Sequence, residues 1–135
     1  MSDVGDLPVA ALAADAVVRV PPDATVEDVA RTLVSAEVGL LAVAGDGEPV
    51  RAVVSERDVV RAVAEGLDVQ TTRARDIASS TVRWCDADAT VAEVAEEMME
   101  YYVRHVLLEA EGELVGIVST RDLLGAYASA DAPSD

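Results

Sequence analysis

The sequence predicts an α/β (α+β) fold of two similar units, each running strand-helix-strand-strand-helix behind a short lead-in helix, packed about a pseudo-twofold axis. Three observations lead there. First, the chain repeats itself. Asp23-Ala24-Thr25-Val26 returns as Asp88-Ala89-Thr90-Val91, and Ser55-Glu56-Arg57-Asp58 returns as Ser119-Thr120-Arg121-Asp122, with offsets of 65 and 64 residues. The residue lost between them fits a shorter turn, Glu111-Gly112-Glu113 against Gly45-Asp46-Gly47-Glu48-Pro49. Second, each unit holds one stretch with apolar residues at helical spacing. Third, short apolar runs bounded by Gly-containing acidic turns recur at strand length.

In order, Pro8 to Ala14 and Arg73 to Ala78 read as lead-in helices, and Val17 to Val20 and Val82 to Cys85 as brief strands. Thr25-x-x-Asp28 and Thr90-x-x-Glu93 form capping boxes, the hydroxyl accepting from an orphan amide of the first turn. Behind them Val26, Val29, Ala30, Leu33 and Val34 fall at i, i+3, i+4, i+7 and i+8, as do Val91, Val94, Ala95, Met98 and Met99. Each set makes one buried stripe on an amphipathic helix. Leu40 to Val43 and His105 to Leu108 then turn into second strands, Val50 to Val54 and Leu114 to Val118, as hairpins. The Ser/Asp stretch and a final helix close each unit. Residues 8–66 form the first repeat, 67–73 a connector and 74–130 the second, with 1–7 and 131–135 read as loose termini. A unit of about 60 residues buries only about 60% of its unfolded surface and is marginal alone. The two are therefore expected to pack face to face, leaving a cleft at their junction.

Composition narrows the function. Formal net charge is −16, and every one of the ten basic residues is Arg. Such a surface repels nucleic-acid backbones and anionic membranes, so neither is an expected partner. The lack of Lys beside abundant Asp and Glu resembles proteins of salt-accumulating microbes, in which self-repulsion is screened by salt. On that reading the fold loosens in dilute buffer, a change that thermal unfolding against molar KCl detects. The single cysteine, Cys85, excludes an intrachain disulfide and a thiolate metal cluster. The chain offers no basic signal region and no apolar run near the ~20 residues that span a bilayer, so it is read as cytoplasmic.

The Ser-x-x-Asp stretches carry the chemistry. By itself the pattern is a helix cap worth about 1 kcal/mol. Two features point further. Arg57 and Arg121 fill the same slot in a protein short of cations, and an anion at a helix N-terminus beside an Arg is physically favourable. Gly116, ahead of Ser119, lets another group approach the backbone closely.

Gly116-Ile117-Val118-Ser119-x-x-Asp122, closing a strand-helix-strand-strand-helix unit that occurs twice, resembles the motif of a tandem CBS-domain pair, a Bateman module. The resemblance covers about residues 8 to 130. It implies a regulatory module, not an enzyme, that binds adenosine-containing ligands (AMP, ADP, ATP or S-adenosylmethionine) between the repeats. By that resemblance, Asp58 and Asp122 accept hydrogen bonds from ribose hydroxyls, and Ser55 and Ser119 meet phosphate or ribose with Arg57 and Arg121. Asp15 to Val17 and Ser80 to Val82 flank the adenine, and Arg104 and His105 meet phosphates. No cofactor is required beyond the nucleotide as regulatory ligand, and no metal ligand set is assigned. A homodimer and a separate effector protein are the implied partners. The other reading is a dimerisation scaffold with vestigial clefts.

The halves are unequal. Gly39 and Leu40 stand where repeat 2 has Arg104 and His105, and Ala52 stands where it has Gly116. The better-formed site is expected at Ser119 and Asp122. Met98, Met99, Trp84 and Cys85 are read as packing residues, Tyr101 and Tyr102 as core or dimer contacts, and Glu96, Glu97 and Glu100 as a solvated face.

Overall fold

A computed structural model describes residues 3–13 and 17–130. Asp15 and the tail 131–135 lie outside the described residues. Each repeat builds a three-stranded sheet with the same pairing. In the first, β1 (Arg19–Val20) runs parallel to β2 (Leu40–Val43), which pairs antiparallel with β3 (Ala52–Ser55). In the second, β4 (Trp84–Asp86) runs parallel to β5 (His105–Ala110), which pairs antiparallel with β6 (Glu113–Ser119). Helices α1 (Val26–Ala36) and α4 (Val91–Tyr101) make the parallel crossovers. Helices α2 (Glu56–Ala64) and α5 (Thr120–Ala130) follow the hairpins.

The capping boxes form as the spacing predicts. Thr25 Oγ1 accepts from the Asp28 amide at 3.0 Å, and Asp28 Oδ2 accepts from the Thr25 amide at 3.2 Å. Thr90 and Glu93 repeat the exchange at 3.1 and 3.0 Å. At the far ends, Glu37 and Tyr102 take left-handed conformations, φ 56° and 54°, and stop α1 and α4.

The stripes are narrower than their spacing suggests. Val26, Val29 and Leu33 are buried on α1, as are Val91, Val94 and Met98 on α4. Val34 and Met99, expected in the same stripes, are 78% and 77% exposed. Successive helical residues point about 100° apart, so once Leu33 or Met98 faces the core its successor is turned off it.

The chain forms two compact units, and they cut across the sequence repeats. One is 17–82; the other joins 1–16 to 83–135. The lead-in segments explain this. The 3-10 turn Val9–Leu12 stands ahead of repeat 1, yet the Val9 amide donates to the Ala89 carbonyl at 2.7 Å and Val9 is fully buried with Val91, Val94 and Val118. Helix α3 (Ala74–Ile77) stands ahead of repeat 2, yet the Ala74 amide donates to the Ala24 carbonyl at 2.7 Å and Ala74 is buried with Val20, Leu41 and Val54. Residues 4–6, expected in a loose terminus, form a further 3-10 turn. Gly5 is buried there, with Ala92 and Tyr127 so near that a Cβ would lie 3.2 and 3.3 Å from them. The turn Val4–Asp6 is thus held against α4 and α5.

Both cores are wholly apolar among the described residues. Val, Leu, Ala and Met supply them. Strand β2 is buried at all four positions, which suits its run of four apolar residues.

Candidate functional site

In the unit 17–82, β3 ends at Ser55 and α2 begins at Glu56, so the Ser/Asp stretch is a strand-to-helix junction. Ser55 is the N-cap, its Oγ accepting from the Asp58 amide at 3.2 Å. Asp58 Oδ2 accepts from both the Ser55 amide, at 2.8 Å, and the Ser55 hydroxyl, at 2.9 Å. Its other oxygen, Oδ1, lies 3.8 Å from the Arg61 guanidinium, one turn along the helix. Opposite Ser55 in the ladder stands Leu40, which is buried. Arg57 is exposed, without an ion pair among the described residues.

In the other unit the junction between β6 and α5 has the same skeleton. Asp122 Oδ2 accepts from the Ser119 amide at 2.8 Å, and Ser119 Oγ accepts from the Asp122 amide at 3.0 Å. The surroundings differ. The position matching Arg61 is Gly125, so Asp122 Oδ1 has no cation within ion-pair distance among the described residues. His105 sits directly across the ladder from Ser119 and is half-buried. The Thr120 amide donates to the Arg104 carbonyl at 2.9 Å, which fixes Arg104 beside the start of α5. Arg104 and Arg121 are exposed, and neither is in an ion pair among the described residues. Five of the residues singled out in the sequence therefore gather at one junction: Arg104, His105, Ser119, Arg121 and Asp122. Chemically they comprise two guanidinium groups, an imidazole, a hydroxyl and a carboxylate with one oxygen unpartnered among the described residues.

Gly116 is buried, and a Cβ on it would lie 2.9 Å from the Ala13 Cβ. The group that comes close is the chain's own lead-in segment. Val17 and Val82 are half-buried at the two ends of the unit 17–82. Ser80 follows Ser79, which pairs with Val53 in mid-β3, away from the Ser55 end of the strand.

Sequence reasoning overlooked a cluster beside β4. Arg83 donates to Glu97 Oε2 through Nη2 at 2.7 Å and Nε at 3.2 Å, and lies 3.6 Å over the Tyr101 ring. The Glu97 hydrogen bond raises the Arg83 pKa above its ordinary value. Glu97 is thus a paired, half-buried residue in a stretch read as solvated. The i, i+4 spacing of Glu97 and Tyr101 was the available signal; Arg83, fourteen residues from Glu97, gave none. Burial, foremost, and Glu97 push the Cys85 thiol up, which leaves it un-ionised and poorly nucleophilic. Among the described residues no group of three or more His, Cys, Asp or Glu could hold a metal ion, and no helix is long and apolar enough to cross a membrane.

Comparison with known proteins places this architecture. The CBS domain family matches residues 4–65 and 74–129, nearly the whole chain, and the chain belongs to that family. CBS domains are regulatory ligand-binding modules, generally non-catalytic. Hypoxic response protein 1 of Mycobacterium tuberculosis is 34% identical over 88 residues, which is 64% of this chain and 62% of that relative's length. This chain thus aligns with about three-fifths of the curated relative. An uncharacterised protein from Pyrococcus horikoshii shares the fold at TM-score 0.84 and 24% identity, over 99% of this chain and 98% of the other. A CBS domain protein from Pyrobaculum aerophilum, solved in complex with AMP, matches at TM-score 0.77 and 35% identity, over 91% and 99%.

Proposed function

We propose that this CBS-domain pair is a regulatory sensor of an adenine nucleotide, held chiefly at the Ser119–Asp122 junction. The observation that carries the reading is Asp122 Oδ1, which no described residue engages. Both Ser-x-x-Asp stretches spend one carboxylate oxygen on their helix cap, but only Asp58 also faces an arginine. Asp122 Oδ1 is left to accept from a ribose hydroxyl. Arg104, Arg121 and His105 gather where phosphates of the same ligand would lie, and charge-assisted bonds from guanidinium groups are the strong ones. The AMP-bound relative from P. aerophilum supports the class of ligand. Asp58, Ser55 and Arg57 form the weaker counterpart.

Titration calorimetry of AMP against the whole chain tests this reading. Asp122→Ala is expected to weaken binding at least tenfold, about 1.4 kcal/mol. Asp58→Ala should weaken it less. Equal losses, or none, overturn the assignment to repeat 2.

The signal would pass to a separate effector through a homodimer, as further parts of the same proposal. The first and second helices of each repeat carry matching exposed apolar side chains: Val34 and Val60 on α1 and α2, Met99 and Leu124 on α4 and α5. Four such residues at equivalent places suit burial against a second copy. Val34→Asp with Met99→Asp should halve the mass measured by light scattering. An unchanged mass removes these faces from the interface.

A further inference from the structure

A cavity of about 500 Å³ lies within the unit 17–82, at the hairpin-turn end of β2 and β3. Its wall includes Ala52, the first residue of β3, whereas Ser55 closes that strand. At about 3.3 Å per residue the two ends are roughly 10 Å apart. The cavity is therefore separate from the Ser55–Asp58 stretch.

Its lining combines apolar residues, Pro22 and Ala52 among them, with two arginines, Arg51 and Arg75. Neither arginine makes an ion pair or a side-chain hydrogen bond among the described residues. Two arginines among the lining residues give the cavity a positive character that favours an anion. Ser80 adds a hydroxyl that has no partner among the described residues. Glu48 is the one carboxylate of the lining, and it folds over Gly45, with its carboxyl carbon 3.3 Å from where a Cβ would stand.

We propose that this cavity is a second ligand site, for a small organic phosphate monoester, in which Arg51, Arg75 and Ser80 hold the phosphate and the apolar residues take the organic body. Two planar guanidinium forks match the three terminal oxygens of a dianion; a monocarboxylate would leave one fork unmatched. A volume near 500 Å³ is in the range of small-molecule sites and exceeds what inorganic phosphate fills. The assignment does not depend on nucleotide binding at Asp122.

Phenyl phosphate is the probe, added to the ¹⁵N-labelled whole chain at constant ionic strength, with the arginine Nε–Hε signals followed by NMR. Arg51 and Arg75 signals should shift together and saturate, while those of Arg104 and Arg121 move little. Arg51→Gln with Arg75→Gln, exposed positions whose folding circular dichroism checks, should weaken phenyl phosphate at least tenfold. Ser80→Ala, a milder change, should weaken it two- to fivefold. Inorganic phosphate should act on the same pair at least tenfold more weakly, and neutral phenol should not shift it. Unchanged affinity in the double variant, shifts confined to Arg104 and Arg121, or equal binding of inorganic phosphate would overturn the proposal.

Discussion

The two Ser-x-x-Asp junctions share a skeleton and differ in everything around it. In each, serine and aspartate exchange hydrogen bonds that cap a helix, with the carboxylate 2.8 Å from the serine amide. Around Ser55 the neighbours are a buried Leu40 and an Arg61 that faces the carboxylate. Around Ser119 they are His105, Arg104 and a glycine, Gly125, where the arginine would be. Capping needs only four consecutive residues, so it survives in both copies. The residues that differ stand across the ladder and one turn along the helix, and those positions have diverged without disturbing the cap.

The sharpest way to break the contrast is to turn repeat 2 into repeat 1. Arg104→Gly with His105→Leu should lower AMP affinity about 100-fold by calorimetry, about 2.8 kcal/mol. A loss under threefold would mean that these side chains do not meet the ligand.

A smaller effect concerns the glycine that only repeat 2 retains. Gly116→Ala forces a Cβ to 2.9 Å from that of Ala13, and overpacking of this kind costs about 1–3 kcal/mol in urea denaturation. The reciprocal Ala52→Gly should cost no more than about 1 kcal/mol, the entropy of a strand glycine. If both changes cost the same, the lead-in contact is not what requires Gly116.

The smallest effect separates the capping boxes of α1 and α4. Glu93 Oε1 accepts from both the amide and the hydroxyl of Thr90, each at 3.0 Å, whereas the carboxylate of Asp28 accepts from the Thr25 amide alone. The Thr90 backbone bond, then its hydroxyl, holds the Glu93 carboxyl below the ordinary glutamate range. A depressed folded-state pKa gives stability that is complete above the unfolded-state value and is lost as pH falls through the folded one. Glu93→Gln should therefore differ most from the parent near neutrality and converge with it in acid, as read by urea titrations over a pH series. A gap that stays constant with pH contradicts this.

Much was legible in advance because it was local. The duplication located both hairpins, Thr25-x-x-Asp28 and Thr90-x-x-Glu93 located the helix starts, and the Ser/Asp stretches lie at strand-to-helix junctions as read. Periodicity failed only where neighbours in sequence compete for one direction, as Val34 and Met99 do with Leu33 and Met98. The inequality of the halves was also legible, since Gly39 and Leu40 can supply no side-chain donor. Arg61 was not. Its bearing on Asp58 depends on a helix turn bringing it 3.8 Å from Oδ1.

By itself the sequence determined the repeat, the order of elements and the caps, because each rests on contacts within a few residues. The tertiary structure alone decided which segments share a core. Val9 hydrogen-bonds near Ala89 and Ala74 near Ala24, so each lead-in packs with the repeat it does not precede. No local pattern encodes such a choice, because an apolar face specifies that it must be buried and not against what. The same packing accounts for Gly116, whose missing side chain leaves room for Ala13, about a hundred residues earlier in the chain.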